Sequence, residues 1–201
     1  MHSFSELVKR FALQGAILGW ILAVGVGLGV LLRYANTPGR LAAPPGSWPR
    51  ASIVQPEPRR ATLLVFAHPQ CPCTRATIGE LAEIMAHSQG SVSVYVYFYA
   101  PRSEGSGWVR SQLWRDAAAI PGVHAVDDTD GREIRRFGAS TSGQVLLYDS
   151  SGRLQFNGGI TASRGHSGDN DGRDAVASLL ESGNARLHTT SVFGCSLLEE
   201  E

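Results

Sequence analysis

Thr62-Leu63-Leu64-Val65-Phe66-Ala67-His68-Pro69-Gln70-Cys71-Pro72-Cys73-Thr74-Arg75 is the stretch that decides the fold of this 201-residue chain. Residues 62–67 form a continuous apolar run, which suits a strand buried on both faces. A turn follows at His68-Pro69, and a helical pattern begins at once. Cys71 precedes a proline and is biased away from helical dihedrals. Pro72 suits the first helical position, where its missing N–H costs nothing. That places Cys71 at the N-cap and Cys73 in the first turn. A thiolate there accepts free backbone N–H groups and feels the positive end of the helix dipole. Both effects favour the ionised, nucleophilic form. The geometry points to thiol redox chemistry, with soft-metal binding as the rival.

Working outward, strand and helix alternate. Ile78, Leu81 and Met85 lie on one face of the helix after Cys71, which Gly90 ends. Val92, Val94, Val96 and Phe98 alternate with Ser93, Tyr95, Tyr97 and Tyr99 in a second strand. Val109, Leu113, Ala117 and Ile120 form a helical stripe closed by Pro121-Gly122. A short strand over 123–126, a short helix over 131–137, a hairpin over 145–148 and 154–156, and a late helix over 174–180 complete the pattern. The order β-α-β-α-β-α-β-β-α predicts an α/β sheet whose final strand pair is antiparallel.

The flanking segments have their own signatures. Residues 12–32 carry no charge and are long enough to cross a bilayer as one helix. A cleaved signal peptide is the alternative, but its apolar region is usually about 7–15 residues. The reading is an uncleaved transmembrane anchor after a short N-terminal segment, 1–11. Gly15 and Gly19 match a helix-dimerisation spacing, although a glycine-rich span accounts for them. Six of the ten prolines fall in residues 33–60, which reads as a Pro-rich, partly extended tether. The remainder, 61–195, has the size of one domain, followed by an acidic tail over 196–201. Eighteen basic residues balance eighteen acidic ones, so nothing suggests a nucleic-acid surface. Positive charge alone slightly favours a cytoplasmic C-terminal domain; against this, a thiol domain behind a single N-terminal span suits an oxidising compartment, and the outer side is the reading.

A strand, a turn, cysteines at a helix start and a later Phe-Gly-x-strand-turn-strand resemble the plan of thioredoxin-like proteins. Asp130-Gly131, Arg136-Phe137-Gly138, Val145–Asp149 and Gly152-Arg153-Leu154 look like the membrane-tethered TlpA and ResA branch. Gly158-Gly159-Ile160-Thr161, Arg164-Gly165-His166, Gly168-Asp169-Asn170 and Val192-Phe193-Gly194-Cys195 look like a bacterial group labelled RedB. The resemblance implies a thioredoxin-like fold, a central mixed sheet flanked by helices. It also implies a single-pass protein of the bacterial inner (cytoplasmic) membrane with its C-terminal domain periplasmic or otherwise extracytoplasmic. Two departures stand out. The usual Cys-x-x-Cys is replaced by Cys71-Pro72-Cys73 behind Gln70, and the cis-proline position reads Thr141-Ser142-Gly143. In the family that loop meets extended substrate backbone, so Ser142 and Gly143 are substrate candidates and general protein-disulfide exchange is not implied.

The function expected is that of a thiol-disulfide oxidoreductase with catalytic Cys71, Cys73 and Cys195. Its partners are a thiol/disulfide protein or a small redox molecule, and it needs no cofactor. Cys71 is the attacking thiol and Cys73 its near resolving partner. A Cys-x-Cys disulfide closes a tight ring, and Cys195 relieves that strain by pairing with one of the two. The alternative for Cys195 is an ordinary small buried apolar residue. Arg75 suits either a pKa-lowering charge or a solvated surface position. Thr74 suits a hydrogen bond to sulfur or ordinary capping. His68 is a base, a ligand or a strand-end cap. In the loop over 161–173, Asn170 or Asp171 caps the last helix, while Arg164 and His166 suit a substrate loop beside the cysteines. Copper is the cofactor of the first alternative, a Cu(I)-binding metallochaperone using Cys71, Cys73 and His68 or His166. The second alternative is a redox-inert partner-binding domain.

Overall fold

A computed structural model describes residues 2–88 and 90–198. The chain divides into two units, Met1–Asn36 and Thr37–Glu201. The first is a single helix, α1 (His2–Ala35). Its large apolar side chains, Trp20 and Leu28 among them, are exposed. The stretch Val8–Ala35 is long and apolar enough to cross a membrane; at 1.5 Å per residue it measures about 40 Å.

The second unit is built on five strands: β1 (Ala61–Ala67), β2 (Val92–Ala100), β3 (Val123–Thr129), β4 (Gln144–Tyr148) and β5 (Leu154–Gly159). Their spatial order is β3-β2-β1-β4-β5. β1 and β2 pair in parallel, as do β2 and β3. β4 runs antiparallel to both β1 and β5. This mixed sheet flanked by helices is the thioredoxin-like fold that the resemblance implies. Burial on both faces of β1 explains its unbroken apolar run. Leu63 and Val65 enter one core cluster, Leu64 and Phe66 the other, and all four are fully buried. Each such side chain contributes about 1.5–3 kcal/mol.

The first cluster is covered by α2 (Thr74–Ser88), α4 (Gln112–Ala118) and α6 (Asp171–Ser182). The helical stripe over 109–120 is split: α3 (Ser106–Val109) ends at Arg110 and α4 restarts at Gln112. The second cluster is covered by α5 (Arg132–Arg136) and by two segments without regular structure. One is the Pro-rich stretch. Expected as a tether over 33–60, it instead lies along the domain from Thr37 onward. Its prolines have no N–H to donate, but its other residues and its carbonyls bond to the domain. Tyr148 Oη donates to Pro45 O at 2.9 Å, Thr141 Oγ1 to Arg40 O at 2.8 Å, and Trp48 packs edge-on against Phe137. The other segment is the C-terminus. Leu197, expected in an acidic tail, is buried in the second cluster; residues 199–201 of that tail lie outside the described residues.

Candidate active site

β1 ends at Ala67 and the chain turns through His68–Cys73. Cys71 N–H donates to His68 O at 3.0 Å, Thr74 N–H to Cys71 O at 3.1 Å, and Ala76 N–H to Cys73 O at 3.2 Å. These three-residue bonds make a tight entry turn, and the α-helix proper begins at Thr74. The expected N-cap and N1 positions of Cys71 and Pro72 therefore belong to this entry turn and not to α2 itself. Cys71 keeps a capping role there, since its sulfur accepts the backbone N–H of Cys73.

Facing the turn is the loop between α5 and β4. Ser142 Oγ accepts the N–H of His68 at 2.8 Å and meets Thr74 Oγ1 at 2.7 Å. Gly143 has φ +91° and donates to Phe66 O at 2.7 Å. A side chain there would meet both left-handed strain and Thr77 Oγ1, 2.9 Å from its Cβ.

The C-terminal segment is laid antiparallel on this loop. Ser142 N–H donates to Cys195 O at 2.8 Å, Leu197 N–H to Ser140 O at 3.0 Å, and Thr141 bridges Ser196. The approach is close because residue 194 is glycine. A Cβ at Gly194 would stand 1.9 Å from Ser142 O. Val192 and Leu197, on either side of Cys195, are each 1% exposed.

Cys195 Sγ thereby reaches Cys71 Sγ at 3.1 Å, with all three thiols free. Cys71 is 1% exposed and Cys73 8% exposed, while Cys195 is half-buried. Burial pushes the Cys71 thiol up. The thiol and backbone N–H of Cys195, the Thr74 hydroxyl and the Cys73 N–H outweigh it together and hold Cys71 below the usual thiol range. Burial, donation to Cys71 and the charge there push Cys195 up to about 12. Cys73 is also raised, by burial first and then by the Cys71 charge, with the Arg164 guanidinium opposing. The Cys71 sulfur is thus the most acidic of the three and sits among hydrogen-bond donors.

Arg164 reaches this cluster from the loop after β5, donating to Gly194 O and to Thr37 O. What holds its loop is a residue that sequence reasoning missed. Glu80, 2% exposed on α2, accepts Gly168 N–H at 2.7 Å and Asn170 Nδ2 at 3.3 Å, and pairs with Arg173 Nη1 at 2.9 Å. Its signal was an acidic residue on the core-facing stripe of α2, one turn after Thr77 and one before Ile84. Asn170 also caps α6 by accepting Arg173 N–H. Gly194 was missed as well, because glycine in a terminal segment carries no mark of what packs on it.

The other candidates make contacts of their own or are exposed. Arg75 pairs with Asp116 at 3.8 Å on an exposed face. His68 Nδ1 accepts Gln70 N–H at 3.2 Å, and its ring packs against Trp108 and Tyr99. His166 is exposed. Among the described residues, no group of three or more Cys, His, Asp or Glu side chains is arranged to hold a metal ion.

No family model and no curated protein matches this chain. Solved structures do. A hypothetical protein from Sinorhizobium meliloti 1021 shares 20% identity over 80% of this chain and 93% of its own, with a TM-score of 0.56. An uncharacterized conserved protein from Geobacillus kaustophilus shares 14% identity over 82% and 93%, again at 0.56. A secreted Mycobacterium tuberculosis disulfide oxidoreductase, homologous to E. coli DsbE, shares 14% over 62% and 83%, at 0.44. At these identities the likeness is one of fold.

Proposed function

We propose that the chain is a membrane-anchored thiol-disulfide oxidoreductase of the TlpA/ResA type, in a RedB-like group, whose working pair is Cys71 and Cys195. Residues 12–32 anchor it in the bacterial inner membrane, and the thiol domain faces the periplasm. The observation that carries the reading is the 3.1 Å approach of two free thiols with opposed acidities. Cys73 lies beside the pair as a donor to Cys71 and not as its disulfide partner.

The two sulfurs have different tasks. In the oxidised form, an incoming thiolate attacks the more exposed sulfur, Cys195. Cys71 departs as the thiolate, since the thiol of lower pKa leaves faster. A second thiol of the same partner then attacks the partner's own sulfur in the mixed disulfide and releases Cys195. Two electrons and two protons pass to this chain, and the partner leaves as a disulfide.

Redox titration of the full chain in detergent against a dithiol buffer, with peptide mapping of the products, tests this. The expected result is one two-electron couple and a Cys71–Cys195 disulfide. Cys73→Ser retains both, and Cys71→Ser and Cys195→Ser lose both. A Cys71–Cys73 disulfide with Cys195 free would overturn the assignment. Stoichiometric Cu(I) binding by a chain with no such couple would turn the reading toward the metallochaperone.

A further inference from the structure

The edge that faces the thiols is already occupied. Ser140–Ser142 meets the cysteine turn through Ser142 Oγ, which accepts His68 N–H, and the chain's own residues 195–197 take its backbone hydrogen bonds. This segment is a fixed wall and not a loose end. Val192 and Leu197 are buried on either side of the thiol, Gly39 N–H holds Val192 O at 2.8 Å, Arg164 holds Gly194 O, and Gly194 fits only as glycine. An extended polypeptide has no free edge on which to align a disulfide with Cys71.

The space at the sulfur is equally restrictive. Attack by Cys71 on any disulfide places a second sulfur and its carbon chain about 2.05 Å away. Cys71 is 1% exposed, and the Cys195 sulfur already stands 3.1 Å from it. Oxidation to a sulfenic acid adds only one oxygen atom. The donors around Cys71, namely Thr74 Oγ1 and the N–H groups of Cys73 and Cys195, are of the kind that holds an oxygen atom.

We infer that the oxidant of this site is a small hydroperoxide, taken at Cys71, and not a protein disulfide. This inference rests on the Cys71–Cys195 couple proposed above. In the first step the Cys71 sulfur attacks the O–O bond, Cys71-SH + ROOH → Cys71-SOH + ROH, with the thiol proton ending on the departing alcohol or water. In the second, Cys195-SH condenses with the sulfenic acid to give the Cys71–Cys195 disulfide and water. A dithiol reductant then restores both thiols through Cys195, so the cycle passes two electrons from dithiol to peroxide.

The reduced full chain in detergent is mixed in parallel with hydrogen peroxide, glutathione disulfide and insulin disulfides, and Cys71–Cys195 formation is followed by mass mapping. Peroxide is expected to form the disulfide more than about tenfold faster than either disulfide does at equal concentration. In Cys195→Ser, dimedone is expected to trap the sulfenic acid on Cys71. Cys71–Cys195 formation by insulin or glutathione disulfide at the peroxide rate would overturn the inference and leave the couple standing. Failure of all three oxidants to form that disulfide would overturn the couple as well. Leu197→Ala supplies a second check. Loosening the wall is expected to raise the ratio of the insulin rate to the peroxide rate, whereas a ratio unchanged from the wild type would show that the wall does not select the oxidant.

Discussion

Two strand-to-helix junctions in this domain bury an acidic group, and they resolve the same conflict in opposite directions. After β1, Cys71 is held below the ordinary thiol range despite its burial. At the end of β3, Asp128 is 2% exposed and accepts Glu133 N–H at 3.0 Å and Ile134 N–H at 2.9 Å, yet burial still raises it to about 6. Both groups receive backbone N–H donors from the start of a helix. The difference lies in what else surrounds them. The Cys71 sulfur also has the Thr74 hydroxyl and the Cys195 thiol as hydrogen-bond partners. Asp128 has only the charges of Arg135 and Arg136 to help, and Arg136 pairs with buried Glu133, which also takes the Ser52 hydroxyl at 2.6 Å. Side-chain donors around the sulfur lower its pKa in spite of its burial. Fixed N–H groups alone leave burial in control.

The largest effect expected from this contrast is on pH-dependent stability. Asp128 holds its proton more tightly in the folded domain than in the unfolded chain, from 3.8 up to about 6. The folded state therefore gains as pH falls through 6, and the gain is complete below about 4. Across that window the wild type should gain on the order of 3 kcal/mol relative to Asp128→Asn, which has no such proton to bind. Denaturant unfolding of both proteins at pH 7 and pH 4 measures the difference. A gap between them that does not change with pH would break the comparison, because the N–H donors would then balance burial at Asp128 too.

The second prediction sharpens the thiol side. Gly194→Ala places a methyl group where the backbone oxygen of Ser142 stands 1.9 Å away. Overpacking of this kind costs about 1–3 kcal/mol. Relief by sliding the C-terminal segment outward would also draw the Cys195 donors off Cys71. Lower stability together with a reduced yield of the Cys71–Cys195 disulfide is the expected pair of results. Lower stability with an unchanged yield would show that the wall positions the tail and not the sulfur.

The contrast also explains what the sequence discloses. The strands, their order and the cysteine turn are legible because each is local: an apolar run, an alternation, a proline after a cysteine. The anchor helix is legible from 21 uncharged residues, 12–32. Tertiary contacts between distant segments carry no such local mark. The Pro-rich stretch reads as a tether because its role is to offer carbonyls to residues about a hundred positions away. Cys71 and Cys73 stand out as a pair, yet the sulfur at 3.1 Å from Cys71 is 124 residues away. Strain in a Cys-x-Cys ring pointed toward Cys195 as an alternative partner. It did not disclose Gly194, Ser142 and Leu197 as the contacts that bring it there. Arg164 was identifiable as a residue that helix capping does not explain, while the buried Glu80 that fixes its loop was hidden among apolar neighbours.

The smallest predicted effect isolates one donor. Thr74 Oγ1 lies 2.7 Å from Ser142 Oγ and also bonds the Cys71 sulfur. Thr74→Val removes the hydroxyl and keeps the branched shape, and the lost hydrogen bond costs about 1 kcal/mol. Removing a donor to the sulfur makes its proton harder to lose, so the Cys71 pKa moves upward. At neutral pH less of the sulfur is then thiolate, and its alkylation by iodoacetamide slows. Mass-mapped alkylation across a pH series should show the Cys71 midpoint displaced upward in Thr74→Val and restored in Thr74→Ser. An unchanged midpoint in Thr74→Val would mean that the thiol and N–H of Cys195 and the N–H of Cys73 hold the thiolate without help. The contrast with Asp128 would then rest on neighbouring protonated sulfur alone, because backbone donors are common to both junctions.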